Sequence, residues 1–60
     1  MSIETGLNKY EIGIYDRERL IEVFRTDTDF ALPVIRSEAE KEAERLRKEN
    51  PQRTYSVKEI

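Results

Sequence analysis

The chain has 60 residues, no Cys, no His, and 40% charged residues of both signs that leave a net charge of −2. A chain this short buries only about 60% of the surface its unfolded form exposes. It also lacks a disulfide, a thiolate metal site and the commonest general base. These facts argue against a disulfide scaffold, a zinc module, a polybasic nucleic-acid arm and an enzyme. They lead to the expectation of a single α+β domain over 1–60, with 1–7 outside its packed part and with no metal or cofactor.

Met1 to Gly6 carries neither the basic nor the apolar region of a secretory signal. No apolar run approaches the roughly 20 residues that span a bilayer. A cytoplasmic location and no membrane partner are therefore expected.

In chain order, Lys9 to Tyr15 alternates, with Tyr10, Ile12 and Ile14 on one side and Lys9, Glu11, Gly13 and Tyr15 on the other. This is the period of a half-buried strand. Arg19 to Arg25 is a second strand, rich in β-branched and aromatic residues. Between them Asp16-Arg17-Glu18 has nothing apolar and reads as a tight turn, although it lacks the usual Gly. A two-residue loop at Arg17 and Glu18 pairs Asp16 with Arg19, Tyr15 with Leu20, Ile14 with Ile21, Gly13 with Glu22 and Ile12 with Val23. That register gathers Ile12, Ile14, Ile21 and Val23 on one face.

Phe30 to Ile35 is the most apolar stretch and the most ambiguous. Ser37-Glu38-Ala39-Glu40 has the pattern of a capping box. The preferred reading therefore starts the helix at Ser37, leaves 30–36 extended, and ends the helix near Glu49 before Asn50-Pro51. The alternative starts it earlier, capped by Thr28 or Asp29, with Pro33 near the end of the first turn and Leu32 and Ile35 extending the stripe. Ala39, Ala43 and Leu46 form that stripe. Acids fill the first half and bases the last turns, which suits the helix dipole. Glu44 stands four residues before Lys48, in the favourable order for a pair.

Arg53 to Ile60 is a third strand. The order is ββαβ. A right-handed crossover puts the third strand beside the first, giving a three-stranded antiparallel sheet of order 3-1-2 packed on one α-helix. Ile12, Ile14, Ile21, Val23, Tyr55 and Val57 are expected to face the helix.

Few residues point to chemistry. Asp27-Thr28-Asp29 spaces two carboxylates as some cation sites do, but Ala31 and Leu32 follow where further oxygen ligands belong, so turn and cap roles are expected. The glutamates from Glu38 to Glu44 point in different directions on a helix. Ser37 and Ser56 have no imidazole to activate them. Arg17, Arg19, Arg25 and Arg36 are interleaved with acids, which favours local pairing.

The helix-free sheet face is more informative. It is expected to carry Glu11, Gly13, Tyr15, Leu20, Glu22, Phe24, Thr54, Ser56, Lys58 and Ile60. Tyr15, Leu20 and Phe24 exceed what an open face requires. Phe30 to Ile35 folds back over this face, or the face meets another protein or a second copy, or it stacks nucleic-acid bases. Glu11, Glu22 and the net negative charge weigh against the last, so nucleic acid is not the expected partner.

The tail SEAEKEAERLRKENPQRTYSVKEI, Ser37 to Ile60, resembles in composition the helix-then-strand ending of short phage and plasmid reading frames. That resemblance implies a small mobile-element protein that binds and blocks a larger one. The expected function is a non-enzymatic protein-binding module of this inhibitor type, aimed at a host enzyme or defence complex. Tyr15, Leu20, Phe24, Phe30 and Leu32 are its expected contact residues. The alternatives are a platform for single-stranded nucleic acid and a homodimeric structural protein.

Overall fold

The computed structural model describes residues 9–60, and the expectation for residues 1–7 lies outside them. Strand β1 (Tyr10–Asp16) and strand β2 (Arg19–Thr26) form a hairpin; helix α1 (Leu32–Glu49) follows, and strand β3 (Tyr55–Glu59) returns to the other side of β1. The sheet order is β2-β1-β3, with β1 antiparallel to both neighbours. This is the expected α+β fold with an open sheet. It forms because one amphipathic helix can cover one face of three strands, the smallest two-layer arrangement with a core.

The core is thin. Ile12, Ile14, Ile35, Ala39, Ala43 and Tyr55 are its buried residues, with Phe24, Leu32, Leu46 and Val57 packed around them. Ile12 and Ile14 project from the central strand at 1% and 0% exposure. Ala39 and Ala43 meet them from the helix, and their small side chains let α1 lie close to the sheet.

The helix begins five residues before the preferred expectation. Residues 30–36 are not extended; Leu32 to Arg36 form the first turns of α1. Burial decides this. A Ser N-cap is worth about 1 kcal/mol, whereas burying a Leu or Ile side chain is worth roughly 1.5–3 kcal/mol. Starting at Leu32 brings both Leu32 and Ile35 onto the stripe of Ala39, Ala43 and Leu46. Pro33 lies at the first positions of the helix, where its missing N–H removes no intrahelical bond. The chain enters through a turn in which the Thr28 hydroxyl accepts the Ala31 N–H at 3.2 Å and the Asp29 carbonyl accepts the Leu32 N–H at 3.3 Å.

The hairpin follows the expected register for two pairs and then departs from it. Asp16 opposes Arg19 and Tyr15 opposes Leu20, but a bulge follows, so Ile14 opposes Glu22, Gly13 opposes Val23 and Ile12 opposes Phe24. Ile21 is the extra residue. Beyond it the faces of β2 are exchanged. Phe24 joins the helix-side core, while Val23 moves to the open face and Ile21 is exposed outside the core. The expectation that Ile21 and Val23 face the helix is corrected here. A regular ladder would leave the larger Phe24 uncovered, and the bulge exchanges it for the smaller Val23.

Ion pairs fasten the elements at the surface. Asp16, although paired in register with Arg19, bonds Arg53 at 2.6 Å and so ties the hairpin to the loop after α1. Arg36 bonds Glu59, and Arg25 bonds Glu11 at 2.9 Å. Along the helix Arg45 bonds both Glu42 and Glu49, in place of the expected Glu44–Lys48 pair.

Near the start of β1, Tyr10 donates its hydroxyl to Asp29 at 2.5 Å and Lys9 lies 3.4 Å from the same carboxylate. The Tyr10 hydrogen bond, helped by Lys9, holds the Asp29 carboxyl below its ordinary value. The bond to Asp29 in turn raises Tyr10, and Asp29 also raises Lys9. Arg45 lowers Glu42 by the same kind of hydrogen bond.

Two outcomes follow. Deleting Ile21 leaves a regular β2 with Phe24 still beneath the helix, and stability changes by less than about 1 kcal/mol in urea unfolding. Phe24→Ala, by contrast, costs at least about 2 kcal/mol, because Phe24 is the β2 side chain packed on the core. If deleting Ile21 costs as much as Phe24→Ala, Ile21 is not the spare residue of the ladder and the bulge does not set the faces.

The thermal midpoint is expected to be level between about pH 5 and 9. Asp29 and Glu42 are depressed on folding, so their contribution is lost as pH falls through their folded values, below about pH 4. Tyr10 is raised, so its contribution is lost as pH climbs above about 10. Asp29→Asn flattens the alkaline limb and leaves the Glu42 part of the acid limb.

Candidate functional site

The face of the sheet opposite α1 is built by the alternation of β1. With Ile12 and Ile14 committed to the helix side, Glu11, Gly13 and Tyr15 point the other way. Leu20 and Val23 join them from β2, with Ser56 and Lys58 from β3, through their pairing with Tyr15 and Gly13. Ile60 follows β3, and its N–H donates to the Glu11 carbonyl at 2.9 Å.

Gly13 is the centre of this face. It is buried although no helix covers it. A Cβ at this position would stand 2.7 Å from Leu20 Cδ1, 3.1 Å from Tyr15 Cε1 and 3.2 Å from Ile60 Cδ1. Three side chains from three parts of the chain therefore converge in space that only the absence of a side chain leaves open. The result is a small apolar cluster, with Leu20 at 44% and Ile60 at 58% exposure.

Charge frames the cluster. Glu11 and Arg25, opposite each other, neutralise one end. At the other end the Lys58 ammonium lies 5.2 Å from the centre of the Tyr15 ring. A cation over an aromatic face is attracted to its π electrons. Lys58 has no carboxylate partner among the described residues.

The structure sorts the expected contact residues into three places. Tyr15 and Leu20 meet on the open face. Phe24 and Leu32 are packed against the core on the other side of the sheet. Phe30 stands alone in the turn before α1 at 86% exposure. The segment Phe30–Ile35 does not fold back over the open face, because Leu32 and Ile35 are held by the helix stripe. Val23 and Ile60 belong to the face and were not among the expected contacts. Ile60 was legible from strand alternation, whereas Val23 was hidden by the bulge.

Among the described residues, none of the four arginines makes the expected pair with the acids interleaved between them: Arg25 pairs with Glu11 across the hairpin and Arg36 with Glu59 of β3. Arg17 and Arg19 make no ion pair among the described residues. The Asp29 carboxylate is occupied by Tyr10 and Lys9. No group of three or more acidic residues among the described residues is placed to hold a metal ion. No described helix is long and apolar enough to cross a membrane. No family model, curated protein or solved structure matches the chain.

Gly13→Ala tests the cluster. Its new methyl meets the mobile ends of Leu20, Tyr15 and Ile60, which can swing away, so the unfolding free energy changes by less than about 1 kcal/mol. The ring-current shifts that Tyr15 imposes on the Leu20 and Ile60 methyl groups are lost in the methyl NMR spectrum. Unchanged methyl shifts would show that the three side chains do not converge.

Proposed function

We propose that this chain is a non-enzymatic protein-binding module. It docks through its open sheet face on a larger protein that offers an apolar surface with a carboxylate opposite Lys58. The observation that carries this reading is the convergence of Tyr15, Leu20 and Ile60 over Gly13 on a face that no other part of the described chain covers. Small clusters with an aromatic at the centre supply most of the energy of protein interfaces. The partner chemistry follows from charge: Glu11 and Arg25 satisfy each other, while Lys58 has a ring and no anion.

A domain of this size acts by occupying a surface. Where that surface is an enzyme's or a complex's own working face, occupation is inhibition, and this is the concrete form we propose. The base-stacking alternative is weaker on this geometry. Tyr15 is the one aromatic residue that the described strands direct to the open face, and a stacking platform needs successive rings.

The test places a photo-crosslinking amino acid at Leu20, or at Lys41 on the exposed helix surface, in the cell of origin. One discrete adduct is expected from Leu20 and none from Lys41. Tyr15→Ala weakens binding of the identified partner by about 2 kcal/mol, and Lys58→Glu weakens it further in low salt. Both variants keep the wild-type thermal midpoint within a few degrees. An adduct that forms equally at Lys41, or survives Tyr15→Ala undiminished, sinks the reading. A chain that crosslinks only to a second copy of itself replaces it with a homodimer.

A further inference from the structure

At the hairpin end of the sheet, the turn of β1 and β2 and the loop after α1 enclose an open hollow of about 410 Å³, lined by Asp16, Arg17, Arg19, Gln52 and Arg53. Two bonds hold its walls together. The Arg17 N–H donates to the Thr54 carbonyl at 3.1 Å, and Arg53 bonds Asp16 at 2.6 Å. The residues of the lining therefore include three arginines and one aspartate. That carboxylate, only 15% exposed, is already engaged by Arg53. Arg17 and Arg19 remain, both exposed and both without an ion pair among the described residues. Glu18 stands between them in the turn but does not line the hollow. In a chain of net charge −2, this is a local excess of two positive charges.

The backbone adds a second observation. Arg17 has φ 63°, the left-handed region, and it is the one described non-glycine residue with a positive φ. An L-residue with a full side chain is strained there by about 1–2 kcal/mol, and Gly or Asn relieves it. The turn carries an arginine where the backbone favours a smaller residue. A two-residue hairpin turn requires φ > 0 at this position, so the turn accounts for the backbone and leaves open only why arginine fills it in place of glycine.

From this arrangement we infer that the hollow is a binding site for a small, soluble phosphate monoester. Guanidinium forks match tetrahedral oxyanions with paired N–H donors. Two free guanidiniums balance a dianion. Gln52 lines the same hollow and brings a side-chain amide, a donor for a further oxygen. The space exceeds what one oxyanion fills, which leaves room for the esterified group. The site lies at the hairpin end, whereas the open-face cluster centres on Gly13, so the two readings stand or fall separately.

The test titrates the labelled full chain with inorganic phosphate and with phenyl phosphate, following amide and guanidinium NMR signals. Sodium chloride at matched ionic strength is the control. Saturable shifts at Arg17, Arg19, Gln52 and Arg53 are expected with both anions. Arg19→Gln weakens each by about tenfold, the loss of one charge-assisted hydrogen bond. Arg17→Gly weakens each similarly while raising the thermal midpoint in chloride, so lost binding is not lost folding. Linear shifts equal to those in chloride overturn the inference, as does binding unchanged in both variants. Capture of the chain by phosphatidate vesicles, without saturable binding of the soluble ester, also overturns it.

Discussion

The described fold rests on the burial of two isoleucines from one strand. Ile12 and Ile14 occupy the centre of β1, the central strand, and Ala39 and Ala43 close over them from α1. With a core this small, neither isoleucine is dispensable, and β1 has one permissible orientation. Everything on its other side follows from period two. Gly13 and Tyr15 must face away from the helix, and the neighbours paired with them must gather there as well. The apolar cluster on the open face is thus the geometric complement of the core. Its chemistry, however, is not dictated by the core: Leu20 and Ile60 need not have been apolar for Ile12 and Ile14 to be buried.

The same constraint explains which parts of the structure could be read from the sequence. The strands, their order and the turn at Arg17 and Glu18 were legible because alternation in Tyr10–Tyr15 is strong and a two-residue loop leaves little freedom. The first two cross-strand pairs were legible for the same reason. The bulge at Ile21 was not. A regular register gives an equally apolar inner face from Ile21 and Val23, and choosing Phe24 instead depends on how much volume the helix leaves. That volume belongs to the packed pair of layers and to neither strand alone.

The start of the helix was misread through a different competition. Ser37 to Glu40 carries a sound local capping pattern, yet it lies inside α1 with Ser37 exposed. Local hydrogen bonding lost to the burial of Leu32 and Ile35, whose spacing from Ala39 was visible as an alternative. Of the site, Tyr15, Leu20 and the place of Gly13 came from alternation. The pairing state of the arginines did not, because Arg17, Arg19 and Arg53 are brought together by the return of the chain after α1. Sequence neighbours such as Glu18 gave a misleading picture of which charges meet.

The bulge has a consequence for what the sheet does not do. β2 is an edge strand of eight residues, and its outer row of N–H and carbonyl groups is a template on which another chain could pair. An extra residue at Ile21 breaks the even spacing of that row and twists the strand where it occurs. An extended segment laid along β2 can match the half before Ile21 or the half after it; it cannot match both without a bulge of its own. The irregularity that moves Phe24 into the core thereby also limits the growth of the sheet on the β2 side. On that side a small domain with an uncovered apolar face can then meet partners through side chains and not through the β2 edge.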